Sequence, residues 1–101
     1  MRRECRNWQN KFKYAFEMKP WYVYIVRCRD GSLYTGIALD VQQRIKKHNS
    51  GDGAKYTRSR RPVKLVRKEK YVTESQARKR EAQIKSWTRF KKERLLKSTE
   101  S

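Results

Sequence analysis

The segment from Trp21 to Ala38 constrains the fold more than any other part of the chain. It reads WYVYIVRC, then RDGS, then LYTGIA, so two stretches rich in aromatic and β-branched residues flank a turn with Asp30 and Gly31 at its tip. A β-hairpin follows. Its register is left open by the sequence. If Asp30 and Gly31 alone form a type I′ turn, Arg29 faces Ser32, Tyr24 lands opposite Ile37, and Tyr24 and Tyr34 point to opposite faces. If Gly31 takes the left-handed position of a three-residue loop with a G1 bulge, Cys28 faces Ser32 and Tyr24 faces Gly36. Both phenols then share one face, so a single residue of register decides whether they can build one site.

Downstream, Asp40 reads as an N-cap with Gln43 three residues on, and Gly51 as the stop of a helix from Val41 to about Asn49. Arg44 and His48 share one face of that helix, beside Val41 and the apolar edge at Ile45. Gly51 to Arg61 reads as a loop with little to pack, and Val63 to Val72 as a third strand with Lys64, Arg67, Lys68 and Lys70 solvated. The run TESQ, Thr73 to Gln76, is a capping box opening another helix. Ala77, Ile84 and Thr88 fall on its apolar stripe, where the odd member is an acid, Glu81. Thr88 caps a final helix through Leu96, after which residues 98–101 form a frayed tail. The order β-β-α-β-α-α gives an α+β fold, a small three-stranded antiparallel or mixed sheet flanked by helices. Residues 19–97 make one domain. Residues 1–18, with Trp8, Phe12 and Phe16 at helical spacing on a basic background, form an extension that is either flexible or packed on the domain as a short amphipathic helix.

The chain carries 28 Lys and Arg against 10 Asp and Glu, a formal charge of +18. Such self-repulsion works against compactness, and a polyanionic partner relieves it. Nucleic acid is the expected partner. An anionic membrane is disfavoured, because the charge is spread along the whole chain and no apolar run approaches the roughly 18 residues of a spanning helix. Cys5, Cys28 and the lone His48 form neither a zinc spacing nor a disulfide framework, which fits reduced thiols in a cytoplasmic protein.

The order Tyr22-Val23-Tyr24, Tyr34-Thr35-Gly36, Arg44, His48 and Glu81 resembles a GIY-YIG nuclease domain. The resemblance covers Trp21 to about Leu96 and is greatest to the small stand-alone bacterial members. The run KKHNSGDGAKYTRSRRPVKLV also resembles the nuclease subunit of eukaryotic structure-specific endonucleases. It implies a metal-dependent endonuclease that hydrolyses DNA phosphodiester bonds, with Tyr24, Tyr34, Arg44, His48 and Glu81 as catalytic residues. Hydrolysis needs an activated water, neutralised phosphoryl oxygens and help for the leaving oxygen. Glu81 would hold one hard cation, Mg²⁺ or Mn²⁺, completed by water and phosphate. Tyr34 would act on the attacking water with Tyr24 fixing its hydroxyl, Arg44 would grip the phosphate, and His48 would share proton transfer. Read without the family, Glu81 is equally a partner for Arg44 or Lys85, and the tyrosines are ordinary strand aromatics.

Two departures from the family pattern stand out: Ile37 where many relatives carry Lys or another polar residue, and no Asn beyond Asn49. Lys46, Lys47 or Lys55 are candidates to replace the missing contact at Ile37. The basic surface of Lys46, Lys47, Lys55, Arg58, Arg60, Arg61 and Lys64 is expected to hold nucleic acid, DNA rather than RNA, by phosphate contacts that carry little sequence information. Selection by DNA structure, or by a protein partner supplying specificity, is therefore expected over base-sequence readout. The alternative is a non-catalytic nucleic-acid-binding module with the same fold.

Overall fold

The computed structural model describes residues 19–100, with side chains as far as Lys97. The expected N-terminal helix around Trp8, Phe12 and Phe16 lies outside the described residues, as do Cys5 and Ser101. The elements are β1 (Trp21–Arg27), β2 (Leu33–Ala38), α1 (Val41–Ser50), α2 (Lys55–Arg58), β3 (Lys64–Tyr71), α3 (Glu74–Lys85) and α4 (Arg89–Glu100).

The hairpin adopts the bulged register. Gly31 has φ of 87°, a value that favours glycine, and Cys28 N–H donates to Ser32 O at 2.8 Å. Asp30 Oδ1 accepts from the Ser32 N–H at 3.0 Å, which stiffens the tip. Tyr24 consequently pairs with Gly36 and Val26 with Tyr34, so the two tyrosines lie on one face.

β1 is the central strand of an entirely antiparallel sheet ordered β2-β1-β3. Being covered on both faces, it reads as a continuous apolar run, and alternate residues feed two cores. On one face Tyr24, Val26 and Cys28 pack with Ala38, Val41 and Val63, under α1. On the other Val23 and Ile25 pack with Ala77, Ile84 and Leu96, under α3 and α4. Beside Ile25 and Val26 the pairing with β3 slips by one residue, from Arg67 to Leu65, so β3 carries a bulge.

Caps set the helix starts. Asp40 accepts from Gln43 N–H, Thr73 from Gln76 N–H, and Thr88 from Lys91 N–H. Gly51, with φ of 95°, ends α1. The sequence reading needs four corrections. Gly51 to Arg61 is not a plain loop, since it contains α2 and buries Thr57 completely. The stripe on α3 ends at Ile84, because Ser86 terminates the helix and leaves Thr88 exposed as the next cap. α4 continues past Leu96 to Glu100. Among the described residues no helix is long and apolar enough to cross a membrane.

Arg67 is also not solvated. It joins Glu69, which accepts from Arg67 at 2.8 Å, from Arg80 at 2.8 Å and 3.1 Å, and from Tyr71 at 2.9 Å, tying β3 to α3. Burial alone would raise the Glu69 pKa, but the hydrogen bonds from Arg80, Arg67 and Tyr71 outweigh it and hold the group at about 2, against an ordinary 4.5. A depressed carboxyl pKa contributes stability that is complete above the unfolded-state value and is lost as pH falls towards the folded one. Glu69 is therefore expected to contribute about 3 kcal/mol that disappears between about pH 5 and pH 2. Urea melts across that range should show a shallower acid slope for Glu69→Gln than for the parent, and parallel slopes would refute this.

Candidate active site

Tyr24 sits on the central strand, yet its phenol reaches the sheet edge because its cross-strand neighbour has no side chain. A Cβ placed on Gly36 would lie 2.6 Å from the Tyr24 hydroxyl and 2.7 Å from Cζ, so the ring rests on bare β2 backbone. There the Tyr24 hydroxyl meets His48 Nε2 at 2.9 Å.

The donor in that bond follows from the other ring nitrogen. Thr57 Oγ1 donates to the Ala54 carbonyl at 3.0 Å, so its lone pairs accept the proton of His48 Nδ1, at 2.7 Å. Nε2 is then unprotonated and accepts from Tyr24. His48 is 1% exposed and Tyr24 1% exposed, which makes this a buried neutral chain: Tyr24 to His48 to Thr57 to Ala54.

Local sequence explains how α1 delivers a buried imidazole. A Cβ at Gly53 would clash with His48 Nδ1 and lie 2.8 Å from its Cα, so only glycine lets the chain turn back across the ring. Asn49 then closes the segment, accepting from Val63 N–H at 2.7 Å and donating to Val63 O at 3.2 Å.

Burial is the main reason that the Tyr24 pKa rises to about 12. Nearby Tyr34 adds to the rise, the Arg44 guanidinium opposes it, and the Glu81 charge raises it further. Burial, then the Arg44 charge, lowers the His48 pKa, so the imidazole is neutral at pH 7.

Tyr34, Arg44, Lys47 and His48, with Asp52, Gly53 and Ala54, line a hollow of about 290 Å³. The Tyr34 ring stands edge-on to His48, 5.3 Å between centroids, and 6.5 Å from the Tyr24 ring. Glu81 approaches from elsewhere. Its helix packs on the opposite face of the sheet through Ala77 and Ile84, and it is absent from the lining of the hollow. Its charge nevertheless acts on the Tyr24 hydroxyl, and its side chain remains 19% exposed. Lys85 Nζ pairs with Glu81 Oε2 at 3.1 Å and lies 5.8 Å from the centre of the Tyr34 ring. Through Lys85 the carboxylate is thus linked to the Tyr34 ring.

Among the basic residues, Lys47 lines the hollow, and Lys46, Lys55 and Lys64 are exposed. The three arginines are tethered: Arg58 to Gly51 O, Arg61 to Arg58 O, and Arg60 to Asp30 and Tyr56 O. Sequence reasoning missed Thr57 and Gly53. The only signal for them was the pair of glycines flanking Asp52, which marks a tight turn and not its contact.

The family model described as the GIY-YIG catalytic domain matches residues 20–94. The chain belongs to the GIY-YIG family. A UPF0213 protein of Staphylococcus aureus is 61% identical over 80 residues, which span 79% of this chain and 98% of that relative. Two solution NMR structures are similar. UPF0213 protein BH0048 of Bacillus halodurans has a TM-score of 0.52 at 49% identity, covering 77% of this chain and 83% of that one. Protein EF2693 of E. faecalis has a TM-score of 0.57 at 46% identity, covering 81% and 88%.

Within this GIY-YIG domain, the residues between the motif positions turn away from the hollow. Val23 and Ile37 pack in the core beneath α3 and α4, so the exchange of a polar residue for Ile37 falls on the wrong face to remove a contact inside the hollow. Gly36→Ala should displace the Tyr24 ring and cost about 1–3 kcal/mol, measured by chemical denaturation. Thr57→Val should cost about 1–3 kcal/mol and release His48 to a tautomer mixture visible in ¹⁵N spectra of the imidazole, whereas a retained Nδ1–H form would contradict the chain of bonds.

Proposed function

We propose that the chain is a divalent-metal-dependent endonuclease that hydrolyses DNA phosphodiester bonds and selects DNA structure over base sequence. The observation that carries this reading is the buried contact of the Tyr24 hydroxyl with His48 Nε2 over bare backbone at Gly36, beside a hollow lined by Tyr34 and Arg44, with the Glu81 charge acting on the same hydroxyl from α3.

The donor chemistry suits a hard cation held loosely. Among the described residues no three His, Cys, Asp or Glu stand together, which argues against a cage made wholly of protein. Glu81 offers a single carboxylate, the kind of ligand Mg²⁺ or Mn²⁺ accepts while keeping waters and substrate phosphate. Bound there, such an ion would neutralise phosphoryl charge and favour ionisation of a nearby water.

Arg44, at the mouth of the hollow, has donors for two phosphate oxygens. Tyr34 orients the attacking water. Tyr24 is a poor base alone, since a free phenolate with a pKa of about 12 costs about 7 kcal/mol at pH 7. Its proton is already directed at a neutral acceptor, however. Water can give a proton to the Tyr24 oxygen as Tyr24 gives its own to His48 Nε2, so no isolated phenolate forms. Phosphate charge then compensates the imidazolium. Lys46, Lys55 and Lys64 supply backbone contacts, which fits a substrate chosen by shape or by a protein partner.

Single-stranded, duplex and branched DNAs incubated with Mg²⁺ or Mn²⁺ test the proposal. Glu81→Gln is expected to lower cleavage by about 100-fold or more with DNA binding retained. Binding without metal-dependent cleavage in the parent would instead identify a non-catalytic nucleic-acid-binding module, an outcome that the Lys85 pairing of Glu81 favours.

The pH profile gives a second test. His48 must be neutral to accept the proton, and its pKa is depressed, so activity should persist to pH values below the ordinary imidazole range. An acid limb of kcat/KM at or above the ordinary imidazole pKa would count against the relay.

A further inference from the structure

A column of flat groups leads outward from the hollow. Tyr34 forms part of its lining, and Tyr56 stacks on Tyr34 with 5.8 Å between centroids and 27° between planes. Arg60 lies on Tyr56, its guanidinium carbon 4.0 Å from the ring centre. Tyr56 is an exposed aromatic, with 39% of its surface accessible.

Arg60 is held in an unusual way for a phosphate-binding residue. Its Nε pairs with Asp30 Oδ2 at 3.1 Å, its Nη1 donates to Tyr56 O at 2.8 Å, and its own carbonyl accepts from Arg29 N–H at 2.9 Å. Asp30 offsets the charge, and these contacts occupy much of the donor edge that would grip a phosphate. The plane itself is fixed, with 35% of the side chain still in solvent. A guanidinium of this kind is suited to stacking.

We propose that Arg60, backed by Tyr56, is a stacking platform for one unpaired nucleobase beside the hollow, so that single-stranded DNA is held in preference to duplex. The inference deepens the nuclease reading by naming the substrate class, and it rests on that reading only for the placement of the scissile phosphate. Bases in a duplex are stacked on one another and offer no free face, whereas an unpaired base can lie on the guanidinium. Base stacking on protein groups contributes about 1–3 kcal/mol per base, equivalent to about 5-fold to 150-fold in affinity.

The test is made without divalent metal, so that binding is read apart from cleavage. The probes are a short oligodeoxynucleotide carrying one 2-aminopurine and the same strand annealed to its complement. The parent should quench the fluorophore in the single strand and bind that strand about 5-fold or more tightly than the duplex. Arg60→Lys keeps the charge and loses the plane, and Tyr56→Leu removes the backing. Each should abolish the quench and weaken single-strand binding about 5-fold or more, with duplex affinity and salt dependence unchanged. Tyr56→Phe should retain both.

Equal losses for single strand and duplex would overturn the platform in favour of a plain charge contact, and Arg60→Lys behaving like the parent would overturn it outright. Arg60→Lys decides the matter if Tyr56→Leu fails to fold. A parent that quenches yet never cuts DNA with metal keeps the platform and refutes the nuclease. A parent that cuts but shows no single-strand preference does the reverse.

Discussion

The Tyr24 phenol rests on unadorned backbone at Gly36, and the rest of the site is arranged around that contact. A central-strand residue cannot ordinarily reach the sheet edge, because its neighbour's Cβ stands in the way. Removing that Cβ lets the ring lie across β2, where α1 approaches with His48 and Arg44 and where the Glu81 charge reaches the hydroxyl from α3. The hairpin bulge at Gly31 is a precondition, since a shift of one residue would set Tyr24 opposite Ile37.

The electrostatic plan separates neutral from charged groups. The innermost set, Tyr24, His48 and Thr57, is uncharged, buried and satisfied by its own hydrogen bonds, so it bears little of the desolvation cost that an ion would incur there. Charges surround it at exposed positions on Arg44, Lys47 and Lys85 and at a partly buried one on Glu81. Arg44 and Lys47 outnumber Asp52 in the lining of the hollow, which leaves its wall with an excess of positive charge beside the neutral set.

Much of this was legible in the sequence, for local reasons. The hairpin, the caps at Asp40, Thr73 and Thr88, and the left-handed Gly51 are fixed within a few residues of chain, and short-range chemistry reads them directly. Glu81 drew notice because an acid interrupts an apolar stripe. What stayed hidden depends on contacts distant in sequence. The hairpin register is decided by a choice between two acceptable turns. Thr57 has no pattern to announce it, since its hydroxyl acquires meaning only when the segment clasped by Asn49 brings it to His48. Arg67 sits in a strand among lysines that read as solvated, and only α3, arriving with Arg80, joins it and Glu69 into a partly buried cluster.

The order β2-β1-β3 leaves β3 as an outer strand, and Lys64, Lys68 and Lys70 are exposed along it. Lysines on an outer strand deter two copies of a protein from joining sheets, because like charges would be brought face to face. At a formal charge of +18 the free protein therefore keeps its neighbours at a distance, and any polyanion that neutralised this surface would weaken that protection along β3.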